Sequence, residues 1–304
     1  MDASLLLFEQ VKKFLNYTHE YEWIRDNIYP SLVKIMNAYQ GKIDIDGNNI
    51  YMDEDYLISS GTEYIQNTWM DAKIGDYVVT PRNGKAVEIN SLWYNSLKIM
   101  EELTILLRSR EESKRYSDLA KKCQKSFNAK FYNKRRKCLY DVLGDPKIRP
   151  NQLFALSLSY PVIDITSEEA KETLKTVEKK LLTPFGLRTL AKGEDEYCEK
   201  YEGDMVQRDK SYHQGVIWPW LLGLYYDSLR NMIKAENSKK NKNELENKLV
   251  EFKSNVKNTF WNEMINGGTV GNICELYDIY NKKYRPQGAF AQAWSIAEIF
   301  RIIL

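Results

Sequence analysis

Apolar residues recur at helical spacing almost from end to end of this chain, and that period limits its fold more than any other feature. Leu245, Leu249, Phe252, Val256 and Phe260 step by four, three, four and four, which places them on one face of a helix. Ala170, Leu174, Val177 and Leu181 do the same behind Ser167-Glu168-Glu169, an acidic start suited to the positive end of the helix dipole. Tyr116, Leu119, Cys123 and Phe127 form a third stripe, and Ile89, Leu92, Trp93, Leu103, Leu106 and Leu107 a longer fourth. Further helices are predicted near 3–16, 21–39 (broken at Pro30), 150–159, 212–232 and 288–303. With no alternating run of any length, the chain reads as all-α, with about nine helices.

Three stretches interrupt the rhythm, near 41–87, 183–210 and 262–287, each longer than the usual connection in a compact domain. They hold Trp69, Tyr77, Tyr201, Trp261, Tyr277, Tyr280 and Tyr284, which a disordered segment would lack. The helices are therefore expected to be a frame, and the loops to carry the chemistry.

The richest loop is Asn67 to Leu97, NTWMDAKIGDYVVTPRNGKAVEINSLWYNSL. It mixes acids (Asp71, Asp76, Glu88), bases (Lys73, Arg82, Lys85), Asn90 and two tryptophans, Trp69 and Trp93. Flat rings beside convergent carboxylates suit a ligand with faces to stack and hydroxyls to orient, such as a sugar. Asp71 could equally cap a turn. Glu275 follows Gly267-Gly268-Thr269-Val270-Gly271, small residues that let backbone approach a ligand; its ordinary alternative is a surface ion pair. A third acid, Asp204, sits in YEGDMVQRD. In SYHQGVIWPWLLG, His213 reads as a structural hydrogen-bonder or a polar contact, and Trp218 and Trp220 either stack on sugar or wedge a helix start. Pro219 is expected in the first turn of that helix.

Composition removes other classes. Net charge is +2, too small for a general pull toward nucleic acid or membrane. The basic stretch from Arg108 to Lys137 has its aromatics at core spacing, so it reads as a solvated helix face. No apolar run is long enough to span a bilayer, and the opening DASLLLFEQVKKFL has no secretory pattern. Four scattered cysteines and two histidines give neither a disulfide framework nor metal-ligand spacing, so a reducing cytoplasm and no metal or cofactor are expected. Phosphate-binding glycine loops, HExxH and GxSxG do not occur.

In order along the chain, NTWMDAK, TPRNGKAVEINSLWYNSL, RPNQLFALSL, PFGLRTL, YEGD, SYHQGVIWPWLLG, GTVGNICELYD and PQGAFAQAWSIAEI resemble the catalytic domain of glycogen debranching enzymes, the amylo-α-1,6-glucosidase type. The resemblance runs from Asp2 to Ile303. It implies an (α/α)6 toroid of helical hairpins with a sugar site at one end, and a single domain over 1–304. It also implies that Asp71 is the general acid, Glu275 the general base, and the substrate a glucose α-1,6-linked at a trimmed branch point of glycogen or limit dextrin, released with inversion. Inversion asks for carboxyls about 6.5–9.5 Å apart, with burial near Trp69 and Met70 keeping Asp71 protonated. Trp69, Trp93 and Trp218 are the expected stacking surfaces, and Lys73, Glu88, Asn90 and His213 the expected hydroxyl contacts. Cys274 replaces a small polar residue of the family pattern, and Met205-Val206-Gln207 a more aromatic segment.

The family's Trp-Gly-Arg-Asp motif is missing, and about nine helices fall short of six hairpins. The resemblance therefore implies a fragment lacking N-terminal helices, weakly active or inactive alone. Its open sector would expose Leu5 to Phe8, Phe290 and Trp294 and promote self-association. The alternatives are another (α/α)6 exo-glycosidase, glucoamylase- or trehalase-like, and a non-catalytic carbohydrate-binding fragment.

Overall fold

The apolar stripes become helices. The computed structural model describes residues 1–45, 47–267 and 270–304, and eleven α-helices lie among them. They are α1 (Asp2–Thr18), α2 (Tyr21–Asn27), α3 (Tyr29–Gln40), α4 (Val87–Leu107), α5 (Arg110–Lys130), α6 (Phe154–Ser157), α7 (Glu168–Lys180), α8 (Met205–Ser211), α9 (Leu221–Ala235), α10 (Lys239–Asn266) and α11 (Ala293–Ile303). The helical stripes land where expected: Phe252, Val256 and Phe260 are buried on α10, Ala170, Leu174 and Val177 on α7, and Tyr116, Cys123 and Phe127 on α5. Ser167 caps α7 by accepting from the Ala170 N–H. The break predicted at Pro30 falls at Ile28, leaving Pro30 in the first turn of α3, where its missing N–H leaves no helical bond unmade.

The centre is α4. Every residue from Val87 to Leu97 is buried, because α1, α5 and α6 pack around it. Its polar residues are satisfied inside: Ser91 and Ser96 donate to the carbonyls of Val87 and Leu92, and Asn95 donates to Glu9 at 3.0 Å. The pair α9 and α11 packs on α10, and α9 on α6.

The three long interruptions are not irregular throughout. They hold most of twelve short strands: β1 (Lys42–Ile45), β2 (Asn48–Met52), β3 (Ile58–Ser60), β4 (Lys73–Ile74), β5 (Tyr77–Val78), β6 (Tyr132–Asn133), β7 (Cys138–Leu139), β8 (Leu182–Thr183), β9 (Gly186–Arg188), β10 (Ile217–Trp218), β11 (Leu276–Tyr280) and β12 (Lys283–Gln287). At two to five residues each, they are too short for a period of two to stand out in sequence. They form small antiparallel sheets, the largest ordered β12-β11-β10-β9-β8. None is a closed sheet, and the architecture remains a helical frame of the six-hairpin toroid type.

Three expectations change. The helix predicted over 212–232 starts only at Leu221, because residues 212–220 are turns on either side of the two-residue strand β10 at Ile217–Trp218; Pro219 precedes the helix. Gly215, in the turn before β10, has φ 140° and lies so close to Cys198 that a Cβ would sit 2.6 Å from its carbonyl oxygen. Leu5 and Phe8 are fully buried, since α1 turns that face onto α4; the exposed apolar side chains of this region are Leu7 and Phe14. Phe290 is exposed as expected, and Trp294 is at the border of exposure.

Candidate active site

Five-stranded pairing brings two distant runs together. Ile217 on β10 faces Tyr277 on β11, so the Tyr212–Trp218 run lies beside Glu275, the residue just before β11. Asp71 lies between the buried Met70 and the β4–β5 hairpin, with the Val79 N–H donating to the Ala72 carbonyl at 3.0 Å. Asp71 and Glu275 line one cavity of about 550 Å³. Gly268 and Thr269, part of the small-residue run before Glu275, lie outside the described residues.

The cavity wall is aromatic. Trp69 meets His213, Trp218 and Trp220 edge-on, at centroid distances of 5.3, 5.6 and 5.0 Å. Trp220 stacks on Trp294 at 5.0 Å and 17°, and His213 stacks on Trp218 at 5.6 Å and 19°. Such offset and edge contacts are the favourable arrangements of ring quadrupoles, and they make a rigid surface.

The two carboxylates differ in setting. Asp71 opens onto the cavity, yet the surrounding protein raises its pKa, first by desolvation, then through the charges of Asp2 and Glu275. Glu275 is half-buried and held on both oxygens. The Tyr212 hydroxyl and, at 3.4 Å, the Gln292 amide donate to Oε1; the Ala289 N–H donates to Oε2 at 2.9 Å. Burial and the adjacent Glu275 push the Tyr212 phenol well up, so it stays a donor. Three donors and no acid-side acceptor suit an ionised carboxylate.

His213 is completely buried, and burial together with Arg149 and Arg82 pushes its pKa down to about 3. It is a neutral ring whose two nitrogens find no protein partner. The Trp220 Nε1 and Ser157 Oγ are likewise unpartnered, and all three residues line the cavity. Of the unpartnered buried polar atoms, these are the ones whose residues line the cavity, and so the ones a ligand's hydroxyls could bond.

Glu88 also reaches the cavity, while anchored from behind. Arg82, buried, bonds Glu88 Oε2 at 2.6 Å through Nη2, and Asp141 at 2.7 Å through Nε and 3.0 Å through Nη2. Asn151 continues the network, donating to Asp141 at 2.8 Å and accepting from Trp69 Nε1 at 2.8 Å. Arg149 donates to the His213 carbonyl at 2.6 Å. The network therefore orients Glu88, Trp69 and the His213 backbone together.

Of the nine residues singled out in the sequence, the cavity gathers Trp69, Asp71, Glu88, His213, Trp218 and Glu275. The other three lie elsewhere. Trp93 is fully buried and stacks on Tyr39 at 5.9 Å. Asn90 is fully buried and ties α4 to β3, accepting from the Ile58 N–H at 2.7 Å and donating to the Ile58 carbonyl at 3.1 Å. Lys73 belongs to β4, paired with Val78, outside the cavity wall. Asp204 is a capping box for α8 with Gln207. Sequence reasoning passed over Tyr212, which adjoins His213 in the run already singled out, and the α1 residues Asp2, Glu9 and Lys13 that also line the cavity. For the α1 residues no signal in the sequence pointed to the site.

A helical frame holding two carboxylates of unlike setting over a floor of indoles defines a carbohydrate-type site. The chain belongs to the amylo-alpha-1,6-glucosidase family, whose sequence model matches residues 1–301. It is similar to the glycogen debranching enzyme of Saccharomyces cerevisiae, 27% identical over 214 residues, which is 56% of this chain and 14% of the yeast protein. Among solved structures it is similar to a sialidase, at TM-score 0.66 and 13% identity, covering 95% of this chain and 24% of that one. It is also similar to a GH78 family rhamnosidase of Bacillus sp. GL1, at TM-score 0.58 and 13% identity, covering 97% and 25%. At such identity these two likenesses concern the fold alone. The chain thus spans a small part of each of these proteins. Among the described residues no helix is long and apolar enough to cross a membrane, and no group of three or more His, Cys, Asp or Glu could hold a metal ion.

Proposed function

We propose that this chain carries the hydrolytic site of an amylo-α-1,6-glucosidase, removing α-1,6-linked glucose from the trimmed branch points of glycogen or limit dextrin with inversion. The observation that supports this reading best is the shared cavity of Asp71 and Glu275, each lying in a run that resembles the family's catalytic segments.

Asp71, its pKa raised by burial and by neighbouring acids, holds a proton and gives it to the glycosidic oxygen as the bond breaks. Glu275, ionised and fixed by Tyr212, Gln292 and the Ala289 N–H, takes a proton from a water attacking the anomeric carbon from the opposite face. The apolar faces of the glucose ring stack on Trp69, Trp218 and the Trp220–Trp294 pair. Its hydroxyls bond the open nitrogens of His213, the Trp220 Nε1, the Ser157 hydroxyl and Glu88. The four free cysteines suit a reducing cytoplasm.

The deciding experiment incubates the chain with an α-1,6 limit dextrin, maltose and trehalose, and follows glucose. Release from the dextrin alone supports the reading. Faster release from maltose or trehalose would move the site to a glucoamylase- or trehalase-like reaction, and sugar binding with no release would leave a carbohydrate-binding fragment.

A further inference from the structure

The cations between Arg108 and Lys137 do not share one helix face. Helix α5 closes at Lys130, and Lys134 to Lys137 form the turn joining β6 to β7. Asn133 fixes that turn: its Oδ1 accepts from the N–H groups of Arg135 and Arg136, both at 3.1 Å. Lys137 is held at φ 55°, the left-handed region a lysine seldom adopts. Its carbonyl accepts from Thr176 Oγ1 of α7 at 2.9 Å, so hairpin and helix are locked together.

Between them runs a groove of about 740 Å³. One wall is Lys171, Lys175 and Lys179, rising along α7 in steps of about 6 Å. The facing wall is Arg135, Arg136 and Lys137. Eight cations and three carboxylates line the groove, and a fourth carboxylate, Glu199, pairs with Lys192 at 2.7 Å, which leaves a local charge of +4, whereas the whole chain carries +2. Arg136 pairs with Glu194 and Lys137 with Glu172. Among the described residues the three wall lysines of α7 have no carboxylate within 4.0 Å, so their ammonium groups stand ready for an anion.

We propose that this groove binds a linear chain of phosphates through their charge alone. No aromatic ring lines it, so nothing there would stack a base or a sugar. An extended acidic peptide offers one face a carboxylate every ~6.7 Å, enough to meet the α7 lysines alone, whereas a phosphate chain carries charge on every unit and on all sides and meets both walls at once. Lysine ammonium groups serve phosphate as point charges, and the Arg135 guanidinium adds a fork of paired donors, Arg136 being held by Glu194 and the Pro146 carbonyl. The groove shares no lining residue with the cavity of Asp71 and Glu275, so the inference stands apart from the proposed activity.

The test titrates the full chain with inorganic polyphosphate of about fifteen units by calorimetry, over a salt series. Binding that weakens with salt, with a log–log slope of about −2 to −4, is expected. The triple variant Lys171→Gln, Lys175→Gln, Lys179→Gln should lose on the order of ten-fold in affinity or more, while Lys239→Gln, Lys240→Gln, Lys242→Gln, of equal charge loss on α10, should change about two-fold or less. No binding by the parent chain, or equal losses in both variants, would overturn the proposal. So would poly-aspartate of matched charge binding as tightly as polyphosphate, which would give the groove to an acidic polypeptide.

Discussion

The Tyr212 hydroxyl donates to Oε1 of Glu275, a bond made possible because β10 pairs with β11 and carries the Tyr212–Trp218 run against the carboxylate. A hydrogen bond to a charged group is worth about 1.5–3 kcal/mol. Tyr212→Phe should therefore lower kcat/KM for limit dextrin about ten- to a hundred-fold, mostly in kcat. A variant with the parent's kcat would remove Tyr212 from the reaction.

Asp71→Asn and Glu275→Gln keep shape and remove the proton chemistry. Each should cut turnover on the order of 10²- to 10⁴-fold while sugar binding persists. Asp71→Asn has a second consequence. The folded state holds the Asp71 proton more tightly than the unfolded chain, so ionisation costs stability, and the loss grows as pH rises from the ordinary carboxylate range through the raised folded pKa. The asparagine variant should unfold at higher urea than the parent at pH 7 and match it at pH 3. A variant less stable than the parent at pH 7 would contradict the raised pKa.

How much of this was legible in the sequence depends on what each residue needed. Asp71 and Glu275 stood out because they sit in colinear family-like runs, and the helical stripes because their period survives averaging. Asn90 and Trp93 misled for a physical reason: on a helix buried on all sides, polar and indole groups meet protein partners (Ile58 and Tyr39 here) rather than ligand, and one-dimensional pattern does not distinguish the two. Trp294 is exposed, as expected of an open apolar face, and also stacks on Trp220 in the cavity wall, a contact that exists only once α11 closes onto α9. The short strands left no period to read, so the sheet that sets Glu275 beside Tyr212 could not be foreseen.

Gly288 supports Glu275, the proposed base, sterically. It has φ 71°, and a Cβ there would lie 2.4 Å from Oε2 of Glu275 and 3.0 Å from its Cβ. Gly288→Ala is expected to destabilise the protein by more than about 1 kcal/mol and to displace the carboxylate. Urea unfolding and glucose release measured together check this. Parent-like turnover would show that Glu275 tolerates the shift.

Arg82 joins Glu88 to Asp141 with no solvent to replace it. Arg82→Leu leaves the buried Glu88 without a cation and Asp141 with only Arg149, 3.7 Å away, and should lose about 3–5 kcal/mol of stability. Replacing Arg82 and Glu88 together by apolar residues of similar volume should recover part of that loss, since Asp141 then keeps Arg149 as its partner. Denaturant midpoints of the single and double variants decide; a single variant within about 0.5 kcal/mol of the parent would deny the network its role.

His213 should remain uncharged at every pH where the protein is folded. The unfolded imidazole takes a proton near 6.5 and the folded one only near about 3, because burial and the Arg149 and Arg82 charges oppose it. The unfolded state therefore binds more protons between those values, and the stability present above pH 6.5 drains away as pH falls toward 3. His213→Gln removes the titrating group, so the gap in stability between parent and variant should shrink, in the variant's favour, from pH 7 to pH 4. Nitrogen-15 NMR of the imidazole at pH 5 gives the direct measurement. A neutral ring there supports His213 as a contact for sugar hydroxyls, and a ring titrating near 6.5 would return it to the ordinary behaviour of a solvated histidine.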